Sequence, residues 1–427
     1  MKRRIYRTLI MTCVTMGSIG IHSLGAQEPG PMPRPTMPQS TTMAQGESAS
    51  TGTQAKEPLG PPTFVQAMRA HCCESACGQA VGCVTKDCHS WTFCPPDWYI
   101  EADFLYMWRN IPRTSVATEL GNPRFSQRGS DTQGELAIAD GDRRNSTSFG
   151  SKNADFDDRP SFRVYVGKRV AEDVYVEAGY WWIENFVGEA ELGSKSSFLN
   201  GNNLVSKFAN SNGAVYAPVI YPFDLANSLR VQQNSRFQSI ELNLKHQSIV
   251  NPRLPVSFLM GLRYVNIEED FQYDALSDLL GPPQIGTYRS ETTNHLFGFQ
   301  VGGDAQWFIN SWWSLLGRLR GGIYGNFASQ DSELRNALDL NTFTAINRQG
   351  SGDHLGLASV FEFGIHTELQ ITSSLGIRVG YVGLFVSDLA LAPKQLNFSL
   401  QADAQNGLNH SGSIFYTGPS IGATFRW

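Results

Sequence analysis

The chain has 427 residues, a formal net charge of -5 and only 17% charged residues, against the quarter usual in soluble domains. Its pI near 5.9 excludes the basic surface that nucleic-acid binding requires, and its mean hydropathy of -0.25 excludes a protein built from many membrane helices. Aromatic residues at 11%, with 9 Trp and 41 Gly, fit a chain in which every second residue of a strand meets lipid while its neighbours face a polar lumen.

The first 26 residues read as an export signal: Lys2, Arg3 and Arg4, an apolar stretch from Leu9 to Leu24, then Gly25 and Ala26 before Gln27. A lipoprotein signal through Cys13 is the alternative, but Thr12 suits it poorly and the apolar stretch runs well past it. After the signal no run approaches the ~18 apolar residues of a membrane helix, so a membrane span has to be β. Residues 27–62 are rich in Pro, Gly, Ser, Thr and Gln and have too few aliphatic side chains to offset ordering, so a disordered arm or linker is expected there.

Residues 63–96 form a cysteine-rich periplasmic segment. Cys72, Cys73, Cys77, Cys83, Cys88 and Cys94 lie just ahead of the first strand, with His71 and His89 among them. In an exported chain an even cluster suggests disulfides. A metal or haem site is the other reading, but Cys-x-x-Cys-His and paired zinc-finger spacings are both missing, so no metal and no cofactor are expected.

From residue 97 onward the pattern has period two. Trp98, Ile100, Ala102, Phe104, Tyr106 and Trp108 share one face of a first strand, and Glu101 and Asp103 share the other. Similar alternation occupies 162–170, 174–182, 237–246, 256–267, 292–304, 313–324, 355–369, 375–385 and 412–427. The intervening segments alternate between short (171–173, 247–255, 309–312, 370–374) and long (109–161, 188–236, 268–291, 325–354, 386–411). Short periplasmic turns and long external loops give an all-β, antiparallel, up-and-down transmembrane barrel of about ten strands over 97–427, with both ends in the periplasm.

An arginine facing lipid at mid-membrane costs about 2–4 kcal/mol. Arg318 and Arg320 therefore point inward, leaving Leu315, Leu319 and Ile323 outside. The same parity makes Glu101, Asp103, Arg163, Glu177, Glu241, Lys245, Arg263, Asp304, Glu362, Arg378 and Arg426 lumen candidates, with His366 as a further lumen residue and His295 at an interface. Trp98, Trp307, Trp312, Trp313 and Trp427 fall at periplasmic ends, and Trp108, Trp181 and Trp182 at external ends, as two aromatic girdles. Ile421, Ala423, Phe425 and Trp427 end the chain on an aromatic, similar to the signal read by the barrel-assembly machinery, with Phe425 and Trp427 as its candidate residues.

Several of these segments resemble the beta-barrel porin-seven family of outer-membrane proteins. The resemblance runs from about Trp98 to Trp427 and rests on WYIEADFLYMW, GLRYVNIEEDF, NHLFGFQVGGDAQW, GGIYGN, ALAPKQLN and the terminal GATFRW, in that order. It implies an outer-membrane barrel, in contact with outer-membrane lipid and the assembly machinery. It brings no catalytic or binding residue with it.

Three functions are open to such a barrel. A narrow passive pore is the first, since ten strands lie near the filled end of the range and lumen charges of both signs could line a path or pair and close it. A surface anchor or adhesin acting through long external loops is the second. An omptin-like protease is the least favoured: it would use Asp157 and Asp158 beyond the second strand with Asp353 and His354 beyond the eighth, a His held by a carboxylate serving as base. No phosphate loop, His-Glu-x-x-His or nucleophile elbow is present, and no enzyme is expected.

Overall fold

The computed structural model describes residues 96–110, 114–119, 125–127, 136–138, 147–193, 204–206, 208, 220–224, 226–251, 253–340, 342–398 and 407–427. All of them belong to the unit Pro62–Trp427. The export signal, the linker, the six clustered cysteines and Cys13 lie outside the described residues.

Ten long strands make the barrel: β1 (Trp98–Arg109), β2 (Arg159–Ala171), β3 (Val174–Gly193), β4 (Ser228–Asn251), β5 (Leu254–Ser277), β6 (Gln284–Phe308), β7 (Trp313–Asp339), β8 (Thr344–Gln370), β9 (Leu375–Leu389) and β10 (Gly412–Arg426). Each pairs antiparallel with its sequence neighbours, and β1 pairs with β10, so the sheet closes without an edge within the membrane. At the seam Trp98 and Trp427 exchange backbone hydrogen bonds of 2.9 and 3.1 Å, and their rings stack with centroids 6.2 Å apart. Short strands outside the barrel, Ser115–Glu119, Thr147–Gly150 and Leu204–Ser206, form a small sheet in the external segments.

Two of the expected long loops are not loops. Residues 268–291 hold a tight connection at 278–283, and 325–354 hold one at 340–343, because β5 to β8 continue well past the apolar belt. The turn expected over 247–255 narrows likewise to the two residues between Asn251 and Leu254. The physical reason lies in a change of polarity at constant phase. On β5 the outward residues Phe258, Met260 and Leu262 are about half exposed, while Arg263 on the inner face is buried. Beyond Tyr264 the outward residues become Asn266, Glu268, Asp270, Gln272 and Asp274, and the inward ones become Val265, Ile267, Phe271, Tyr273 and Ala275, all fully buried, with the single carboxylate Glu269 among them.

The strand keeps its two-residue period while its surroundings change from lipid outside and polar inside to water outside and apolar inside. Leu319, Ile323 and Phe327 give way to Asp331, Glu333 and Arg335 on the outer face of β7 in the same manner. For β5 the extension from Asn266 to Ser277 measures roughly 40 Å along the strand, at about 3.4 Å per residue.

Candidate functional site: the barrel interior

Closure of ten strands leaves a narrow interior, and the inward residues decide whether it conducts. Seven cations (Arg163, Lys245, Arg263, Arg318, Arg320, Arg378 and Arg426) meet seven carboxylates (Glu101, Asp103, Glu177, Glu241, Asp304, Glu362 and Glu368). All the sequence-derived lumen residues have inward side chains. Glu368, which the sequence reading did not name, joins them by bonding Arg426 at 2.6 Å.

The pairs cross the lumen from wall to wall. Arg163 bonds Asp103 and Glu362, each at 2.9 Å, and Arg263 reaches the other oxygen of Glu362 at 2.9 Å. Arg378 joins Glu101 at 2.6 Å to Asp103 at 2.7 Å. Arg318 links Glu101 to Asp304, at 2.8 and 3.2 Å, and Lys245 adds a 2.5 Å bond to Asp304. Arg320 holds Glu177 at 3.1 Å and Glu241 at 2.9 Å. Charge taken out of water is tolerated only when paired and hydrogen-bonded in this way.

Uncharged groups complete the belt, and the sequence reading missed them because an inward Tyr, Asn or Gln carries no charge signal. Tyr99 donates its hydroxyl to Glu177 at 2.6 Å. Asn243 donates to Glu177 and Glu241, and Gln300 to Asn243 and Glu241. The Tyr165 ring lies within 4.5 to 5.5 Å of the guanidinium carbons of Arg320, Arg318 and Arg163. Such cation–π contacts partly replace the hydration these groups give up.

Above the belt lies an apolar layer that includes Leu105, Met107, Trp181, Phe237, Val265, Leu296, Val360, Leu384 and Ile414. Higher still, Phe208 and Phe223 from the external segments pack with Phe271, Tyr273, Tyr288 and Leu334 of the extended strands. Burial there pushes the Tyr273 phenol well above its ordinary value, with Asp224 adding to the effect. Outside, hydrogen bonds from Arg335 and Gln349 hold the exposed Glu333 carboxyl below its ordinary value. Between the two apolar groups Arg109 pairs with Glu269, and both side chains are buried. On the periplasmic side a recess of about 70 Å³, lined by Tyr99, Glu101, Lys245, Asp304, Glu368 and Arg426, ends at the belt.

Further residues settle local questions. Trp181 is not a girdle residue: it is inward and buried, its indole donates to Ser161 at 2.8 Å, and it packs edge-on to Phe237. Its neighbour Trp182 faces out, because adjacent strand residues take opposite faces. For the same reason Asp353 and His354 point to opposite sides of β8, so they cannot form a His–carboxylate pair; His354 stacks instead on His410 at 4.2 Å. His366 is buried in the lumen. His295 is exposed and bonds Tyr264 at 2.7 Å, at the level where the outer face turns polar. Among the described residues no group of three or more His, Cys, Asp or Glu is arranged to hold a metal.

Comparison with known proteins places this architecture. A family model described as "Putative beta barrel porin-7 (BBP7)" matches residues 99–414. No curated protein matches the chain. Among solved structures, the outer membrane protease OmpT of Escherichia coli aligns at 9% identity over 79% of this chain and 99% of its own, with a TM-score of 0.38. The toluene transporter TodX of P. putida aligns at 10% identity over 78% and 91%, with a TM-score of 0.31. The toluene transporter TbuX of Ralstonia pickettii gives 9% over 78% and 90%, with a TM-score of 0.25.

Proposed function

The chain belongs to the beta barrel porin-7 family and lies in the bacterial outer membrane, and we propose that within it this barrel serves as a closed anchor for a rigid external platform. The observation that carries the reading is the filled lumen. Balanced ion pairs span it, and an apolar layer covers them. Water-filled channels belong to wider barrels of about 16 strands.

The platform is the second support. β5 to β8 rise beyond the membrane with polar outer faces, and the external segments pack against buried apolar residues of β4 to β7, among them Val231, Phe271, Tyr273, Tyr288 and Leu334. Binding function sits readily on segments that a rigid scaffold positions. Outer-membrane lipid surrounds the belt of Phe258, Leu319 and Ile365 and their neighbours, and Phe425 and Trp427 are the residues we assign to recognition by the assembly machinery.

An open passive pore remains the second reading, favoured by the periplasmic recess that reaches the charged belt. Planar-bilayer recording of the refolded full-length protein, checked for heat-modifiable migration, separates them. The anchor reading expects no steps in potassium chloride at moderate voltage. Steady, reproducible steps from a folded sample would contradict it.

A further inference from the structure

Between β9 and β10 the chain turns into the barrel mouth instead of away from it. Leu389, Ala390, Leu391 and Ala392 are fully buried, and a short 3-10 turn, Ala392–Lys394, follows. The wall holds this backbone through side chains, since no strand pairing is open to it. Asn294 donates to the Ala390 carbonyl and accepts from the Ala390 amide, both at 2.8 Å, in imitation of a strand pair. Asn326 donates to the Asp388 carbonyl at 3.0 Å, and the Ala392 amide donates to the Glu269 carboxylate at 3.0 Å. Further out, the Tyr288 hydroxyl bonds the Asn397 backbone. Leu391 crosses Gly412 so closely that a Cβ there would lie 2.4 Å from its Cγ.

The layers below differ in how they exclude water. In the charged belt the hydroxyl of Tyr165, Nη2 of Arg263, Nη1 of Arg318, Nη2 of Arg378 and both ring nitrogens of His366 are buried with no hydrogen-bond partner in the described protein. Polar atoms in that condition are places where single ordered waters bind, and they lie on the side of the apolar layer that faces the periplasmic recess. The apolar layer above is the dry one, and Leu389 and Leu391 are members of it.

We propose that the strap formed by residues 388–397 is the gate of this barrel: it completes the dry layer, and its release admits small hydrated ions. The inference rests on the closed-barrel reading above. The latch is polar, built on Asn294, Asn326 and Glu269, and hangs from a bulge where Asp388 adopts a left-handed φ of 58°. A purely apolar plug would need none of these groups.

Two full-length variants test it in planar bilayers with potassium chloride. Asn294→Ala with Asn326→Ala removes the latch, and replacement of residues 390–397 by a glycine-serine linker of equal length removes the plug. With wild type silent, the linker variant is expected to give discrete steps, and the double variant to give steps of that kind for a smaller share of the recording, because it loses the latch and keeps the plug. A linker variant that is heat-modifiable, hence folded, yet as silent as wild type overturns the gate and leaves the closed barrel standing. Equal conductance of wild type and linker variant overturns the closed-barrel reading itself, and the gate with it.

Discussion

Arg320 carries two carboxylates, Glu177 and Glu241, in a place that water does not reach freely. Removing one partner of a buried pair strands the other charge, at a cost of about 3–5 kcal/mol, whereas replacing a whole group by neutral residues of similar size is close to neutral. Arg320→Met is therefore expected to lower the stability of the refolded barrel toward urea by about 3–5 kcal/mol. The triple variant Arg320→Met, Glu177→Gln, Glu241→Gln should recover most of that loss. A single variant within about 1 kcal/mol of wild type would show that the pairs do not bear on stability. At this scale the sequence was highly legible for charged residues: the expense of charge in lipid alone points Arg318 and Arg320 inward, and period two carries the rule to the other strands. It was poorly legible for Trp181, because a tryptophan near a strand end satisfies either an interface or a core, and only the parity of its neighbour Trp182 separates the two.

At the level of elements the ten strands were found and their upper limits misplaced. Apolar residues alternating outward mark a strand only where lipid lies outside it. That signal stops at Tyr264 on β5 even though the strand continues to Ser277, because beyond the membrane the apolar face is the inner one. A parity test carried past the end of the apolar run would have found Phe271, Tyr273 and Ala275 in phase with Arg263. The strap between β9 and β10 offered no such signal, since its shape depends on side chains from β5, β6 and β7 that are distant in sequence.

The change of solvent along one face makes a paired prediction. Leu262→Arg and Gln272→Arg lie on the same outer face of β5, ten residues apart. The first should cost about 2–4 kcal/mol in a bilayer, as an arginine placed against lipid does, and the second close to zero. Folding titrations into lipid vesicles measure both. Equal costs would mean that the face does not change solvent between them.

The barrel is one cylinder in two solvents. Its lower part meets lipid outside and holds paired charge inside; its upper part meets water outside and holds an apolar core. Each part is consistent with its surroundings: paired charge fills the lower lumen and packing fills the upper one. Footprinting of the native protein in bilayers tests this account most directly, using a lipid-partitioning diazirine and, separately, hydroxyl radicals from water, with labelled residues read by mass spectrometry. The account predicts that on β5 the diazirine marks Phe258, Met260 and Leu262 and spares Gln272 and Asp274, while hydroxyl radicals reach the outer wall only beyond Tyr264. Lipid labelling that continues to Asp274, or radical labelling at Phe258 to Leu262, would contradict it.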